Sequence, residues 1–200
     1  MNVGAFTSQI DILEFVEASC NKYEWQAKKR LWASIEDQNA NAIFSKHGHT
    51  VRSSKITIRS QPDLTLHNAL ALSPPDSQHF FLIDIDRNTP GFYVLSTVII
   101  EPVTCVVEPT STSMAKNNRP EIKKLPSITF PGYLTEKYLK QTQLEPMSYS
   151  ENRYILVTPK SINIRTGELV KVGNMLCESV IPHILDPYKN EYEILMRVDN

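Results

Sequence analysis

The sequence predicts a mostly β protein: a small antiparallel β-barrel followed by a second β-rich unit. Three observations predict it. Leu31-Trp32-Ala33-Ser34-Ile35-Glu36 and, further on, Ser54-Lys55-Ile56-Thr57-Ile58-Arg59 alternate apolar and polar residues, which is the period of a strand with one buried and one wet face. Short apolar, β-branched runs bounded by turn formers recur through both halves of the chain, as strands do and amphipathic helices do not. A hydrophobic content of 41% over 200 residues is enough to bury a core and argues against wholesale disorder.

The opening segment fits two elements. Ser8-x-x-Asp11 has the form of a capping box, with Ile10, Leu13 and Val16 on a helical stripe. The placement of Leu13, Phe15 and Glu17 also allows a strand. A strand over 29–36 comes next, then a polar loop over 37–52, then a strand over 55–60. Strands over 79–86 and 91–100 are joined by the turn-forming run Asp86-Arg87-Asn88-Thr89-Pro90-Gly91, and 103–108 continues after Pro102. Residues 109–126 are rich in Ser, Thr, Asn, Lys and Pro and read as a linker or extended arm. A short helix is possible over 134–141, where Leu134, Tyr138 and Leu139 share a stripe. Strands follow over 153–158, 168–172, 175–181 and 192–198, with Thr166-Gly167 and Gly173-Asn174 as turns. The order in 153–198 echoes that in 55–107, which suggests an internal duplication of a small β-fold. The expected organisation is a barrel over 1–108, a linker over 109–126 and a second β-rich unit over 127–200.

Charge and motifs narrow the function. Net charge is −1, without the basic excess of a dedicated nucleic-acid binder. Cys20, Cys105 and Cys177 are scattered, with no CxxC, and read as free thiols in a reducing compartment. The first ten residues lack a basic and apolar leader pattern, and the longest apolar run, 94–107, is broken by Glu101 and Pro102. The expectation is a soluble intracellular protein with no membrane contact.

Candidate chemistry is sparse. His47-Gly48-His49 could offer two ligands to a metal, but no third or fourth is near in sequence. His67, His79 and His183 stand alone. Asp84 and Asp86 share one side of a strand, with Asp76 as a possible third carboxylate; the wet face of a strand accounts for the pair. No Gly-rich phosphate loop and no nucleophile elbow occur. The reading is therefore no enzyme, no cofactor and no metal. Phe44, Lys46, His47, Arg52, Lys55 and Arg59, on and after the long loop, form a candidate assembly or channel surface. Lys116, Arg119, Lys123 and Lys124 form a candidate contact in the linker, suited to an acidic partner.

The run Arg30-Leu31-Trp32-Ala33-Ser34-Ile35-Glu36, a polar loop, Ile56-Thr57-Ile58-Arg59-Ser60-Gln61-Pro62-Asp63-Leu64, and then Phe92-Tyr93-Val94-Leu95 resembles the head–tail joining (head-closure, head-completion) family of tailed phages. Its members share a Trp-Ala-x-Val/Ile-Glu strand, a loop, a strand ending in Arg, and a later strand with an aromatic residue. The resemblance spans about residues 10–108 and favours a strand at the start of the chain. Residues 72–91 lack the family's Asp-Gly before the aromatic strand, and 109–200 has no counterpart in its compact members. The resemblance implies a small barrel that assembles into a homo-oligomeric ring in the virion neck, built in the host cytoplasm. Portal or adaptor and tail proteins would be its neighbours, and double-stranded DNA would pass through its channel. A tail-completion or terminator connector and a nucleic-acid-binding β-barrel module are the alternatives.

Overall fold

The computed structural model describes residues 6–43, 50–60, 69–72, 78–114, 120–136 and 153–197. Among them every regular element is a strand: β1 (Ser8–Ser19), β2 (Lys22–Ile43), β3 (Thr50–Arg59), β4 (Ala69–Leu72), β5 (His79–Asp86), β6 (Phe92–Ile100), β7 (Val103–Glu108), β8 (Thr110–Met114), β9 (Pro120–Lys124), β10 (Ile128–Glu136), β11 (Arg153–Pro159), β12 (Leu169–Val172), β13 (Met175–His183) and β14 (Lys189–Met196). The first segment is a strand, not a helix. Asp11 does not cap; its carboxylate takes two hydrogen bonds from Arg30 on the neighbouring strand, at 2.7 and 2.9 Å.

The first six strands close on themselves. Around the ring the order is β1-β2-β3-β6-β5-β4 and back to β1, every pair antiparallel. Alternation then dictates the core. Ile10, Ile12, Ala33, Ile56, Ile58, Phe80, Leu82 and Leu95 are buried inside, while Gln9, Trp32 and Arg59 face outward and are exposed. Closure removes the open edges that would otherwise invite aggregation.

The second six strands close in the same way: β7-β10-β11-β14-β13-β12 and back to β7, again antiparallel throughout. Numbered from one to six within each unit, both rings run 1-2-3-6-5-4. The register repeats as well. Ile10↔Leu31 and Ile12↔Lys29 correspond to Cys105↔Phe130 and Val107↔Ile128. Ile56↔Leu95 corresponds to Leu156↔Tyr192, and Leu70↔Phe80 to Val170↔Cys177. Even the bulge is repeated, after Leu82 in β5 and after Ser179 in β13. The described strands thus form two copies of one barrel; the echo between 55–107 and 153–198 overlaps the last four strands of each, but its end at 103–107 is β7, the first strand of the second barrel.

Two sequence-level boundaries move. β7 lies within 1–108 but, among the described strands, pairs with β10 and β12 of the second barrel and with none of the first. The first barrel's ladder ends at the Ile100↔His79 pair. Pro102 follows at once; it has no N–H to continue a ladder, so the chain leaves the ring there. The described residues of the 109–126 linker form a β-ribbon: β8 and β9 pair from Thr110↔Lys124 to Met114↔Pro120. It prolongs the β7–β10 hairpin, with Leu125 N–H bonded to Pro109 O at 2.9 Å. Of the possible helix at 134–141, residues 134–136 belong to β10 and the rest lie outside the described residues.

The turns follow their residues. Asp86 Oδ1 accepts the Asn88 N–H at 2.8 Å, and Gly91 takes φ +78° so that Phe92 N–H can return to Thr89 O. Gly173 opens the β12–β13 turn at φ +57°.

Candidate assembly surface

Each barrel's first hairpin runs on past the ring as a ribbon. In the first barrel, β1 and β2 continue from Leu13↔Ala27 to Ser19↔Lys22, beyond the last pairing with β4. Cys20 and Asn21 form the tip, and Asn21 adopts the left-handed conformation at φ 58°, which Asn tolerates better than most residues. This ribbon reaches the second barrel. Asn21 O accepts the Thr129 N–H at 2.8 Å, and Lys22 forms a parallel bridge with Thr129. Phe15 and Tyr23, stacked at 5.5 Å, pack against the second barrel's core. Lys22, Tyr23 and Trp25 face Thr104, Thr129 and Pro131 across a cleft of about 350 Å³ that His79 also lines. The His79 ring lies 5.6 Å from Trp25, and burial pushes its pKa below the ordinary value.

The barrels also meet directly. Phe81, Val98 and Ile100, on the outer face of the first barrel, cluster with Ile155 and Val157 of the second, flanked by Trp25, Ile83 and Tyr133. Ile155 and Val157 lie opposite Glu193 and Glu191 on β14. The outer face of that strand is buried and charged, with Lys189 Nζ to Glu191 Oε1 at 2.9 Å and His183 Nε2 to Glu193 Oε1 at 3.3 Å.

The predicted loop over 37–52 is shorter than its composition suggests. β2 and β3 remain paired to Ile43↔Thr50, beyond β3's last partner in β6 at Ser53↔Val98. The ladder survives two extra residues between Gln38 and Asn41. Asp37 accepts hydrogen bonds from Arg52 Nη2 at 3.1 Å and Ser54 Oγ at 3.0 Å, which holds the base of the ribbon. The basic cluster divides. Lys55 and Arg59 lie on the outer face of β3, whereas Arg52 is exposed on the prolonged ribbon with Asp37 as partner. Phe44, Lys46 and His47 lie outside the described residues, as do His49, His67 and Asp76.

Of the linker cations, Lys123 and Lys124 are exposed on β9, Lys124 lying 3.7 Å from Glu108; Lys116 and Arg119 are outside the described residues. Asp84 and Asp86 are exposed on the wet face of β5. Among the described residues no group of three or more His, Cys, Asp or Glu could hold a metal. Cys105 and Cys177 are free thiols inside the second barrel, and burial pushes the Cys105 pKa up to about 12. The residues that sequence reasoning missed are the ribbon aromatics Phe15, Tyr23 and Trp25. Their signal was the alternation Tyr23-Glu24-Trp25-Gln26, which extends the Trp32 strand toward its amino end.

Compared with known proteins, the chain matches no family model, no curated protein and no solved structure.

Proposed function

We propose that this chain is a structural connector of a tailed-phage neck, a ring-forming virion protein that joins the portal to the tail and helps retain packaged double-stranded DNA. One observation carries the reading. The three segments on which the resemblance rests are neighbouring staves of one closed barrel: the Trp32 strand is β2, the strand ending at Arg59 is β3, and Phe92–Leu95 opens β6, in the order β2-β3-β6. The β2–β3 hairpin is also the one that is prolonged beyond the ring. A ribbon on a closed barrel is suited to contacting neighbours, because its backbone is already ordered and less entropy is lost on docking. Near-neutral net charge suits a channel that lets DNA slide.

Disruption of the gene in its phage, with electron microscopy of the particles, tests this. The expected product is DNA-filled heads without tails, or heads that have lost their DNA; normal infectious particles overturn the proposal. Steeply salt-dependent binding of the isolated chain to free DNA would instead favour a nucleic-acid-binding module.

A further inference from the structure

Among the described strands, β8 and β9 pair with each other and with no other strand. The first ribbon bridges the first barrel to the second. The β8–β9 ribbon is its counterpart, a prolongation of the equivalent hairpin on the second barrel, and the described residues hold no third barrel to receive it. The receiving surface is duplicated too. On the second barrel the first ribbon faces Thr104, Thr129 and Pro131. Register assigns their counterparts on the first barrel: Pro131↔Thr104 corresponds to Trp32↔Gln9, and Thr129↔Val106 to Arg30↔Asp11. The strip Gln9, Arg30, Trp32 is uncovered, and it holds Trp32 at 57% exposure. A large exposed aromatic on a sheet face is the kind of residue that anchors an interface.

We infer that the β8–β9 ribbon docks on the Gln9–Arg30–Trp32 strip of a second copy of this chain, repeating between molecules the contact that joins the two barrels within one. The inference rests on the assembly reading for its setting and on the internal repeat for its geometry. Such an interface is heterologous, head to tail, and propagates to a ring or a filament. It is weaker than the junction inside the chain. The counterparts of the apolar Phe81, Val98 and Ile100 are Glu178, Leu195 and Arg197, and those of Tyr133, Ile155 and Val157 are Ser34, Lys55 and Thr57. Ribbon and tryptophan then carry most of the contact.

Two variants of the full chain test it by sedimentation velocity. Trp32→Glu removes the receiving face and keeps the ribbon. Excision of residues 110–124, with Asn-Gly joining Pro109 to Leu125, removes the ribbon and keeps the face. The wild-type chain is expected to form concentration-dependent larger species, each variant alone to be monomeric, and an equimolar mixture of the two to give a one-to-one heterodimer. Circular dichroism identical to wild type shows that both variants are folded. A wild-type chain monomeric up to about millimolar concentration, self-association that both variants retain, or a mixture that stays monomeric overturns the inference. Monomers throughout would leave the neck connector standing on some other surface. Head-to-tail association with normal particles after gene disruption would remove the neck and leave the interface.

Discussion

Tyr192→Phe isolates one hydrogen-bonded device in the second barrel. Tyr192 is fully buried on β14, and its hydroxyl donates to Ile162 O at 2.8 Å while accepting from Ile164 N–H at 3.2 Å. It thereby pins the 160–164 loop, and with it Ile162 and Ile164, onto the core. Phenylalanine keeps the ring and its packing, so no cavity opens. Ile162 O keeps a second donor, Asn190 Nδ2 at 2.8 Å, but the buried Ile164 N–H loses its acceptor. Loss of the hydroxyl bonds and the cost of one orphaned buried donor together give about 2–4 kcal/mol. In urea the midpoint should fall with the slope unchanged. The melting temperature should fall by about 2–4 °C for each kcal/mol in a chain of this size. Burial pushes the Tyr192 pKa above its ordinary value of 10.0, so the loss should be the same across the neutral range. A loss below about 0.5 kcal/mol, within the range of an ordinary surface change, would refute the claim that the hydroxyl pins the loop. The counterpart, Leu95, has no hydroxyl, so Leu95→Ala should instead cost about 2–5 kcal/mol as a cavity.

Gly132→Ala should destabilise the chain by about 1–3 kcal/mol in the same urea assay, because a Cβ there meets Cys105 Sγ at 2.9 Å and Leu156 Cδ1 at 3.1 Å. Phe81→Ala removes a buried ring at the barrel junction, edge-on to Trp25 at 6.4 Å. It should cost about 3–5 kcal/mol and split a single calorimetric transition into two, since each barrel keeps its own inner core. Asp11→Asn tests linkage: the Arg30 hydrogen bond holds the Asp11 pKa below its ordinary value, so the pair's stabilisation is present above about pH 4 and is lost as pH falls through the folded value. The variant should show a flatter acid limb in thermal melts from pH 5 to 2. His79 is held neutral by burial; stability is complete above its unfolded pKa of about 6.5 and falls on acidification toward the lower folded value. His79→Gln should remove that loss, and Trp25 fluorescence followed from pH 7.5 to 5 in a Trp32→Phe background reads it directly.

The period-two pattern of Leu31–Glu36 and Ser54–Arg59 was enough to place β2 and β3 and to say which residues face the core. Ile56 and Ile58 are buried, and Ile35 is packed against the same cluster. Turn chemistry did the same for the β5–β6 hairpin. What composition misread was polar backbone that is nevertheless paired. Residues 41–43 and 50–52, and the strands β8 and β9, pair as two-stranded ribbons outside the rings, where a sheet needs no buried face. Hydrogen bonding along the ladder, not burial, holds such strands, and apolar periodicity does not detect them. The duplication was visible only as an order of elements, because the matching core positions differ in kind: Ile10 against Cys105, Phe80 against Cys177, Leu95 against Tyr192. A barrel core constrains total volume and inward direction more than identity, so register repeats where residues do not. The basic residues of β3 divide for a geometric reason: Arg52 and Lys55 lie three positions apart along one strand and so point to opposite faces.

Two copies of one fold in one chain allow the needs of the fold to be separated from the needs of contact. Inward positions are buried and mostly apolar in both barrels, Thr158 and Ser179 of the second standing where the first has Ile58 and Leu82, so they belong to the fold. Outward positions need not be. Phe81, Val98 and Ile100 are buried at the junction, while at the same places in the second barrel stand Glu178, Leu195 and Arg197, the two charged residues paired with each other. The barrel closes equally well with either set, so the apolar set is there for the neighbour it meets. The same comparison makes Trp32 conspicuous. Its counterpart Pro131 lies under a ribbon, and the alternation that buries Leu31, Ala33 and Ile35 asks only for something polar between them. Tryptophan at that position has no role in the barrel's own core. Since each large apolar side chain that is buried contributes about 1.5–3 kcal/mol, leaving this one in water is a gain forgone by the free chain and available to whatever covers it.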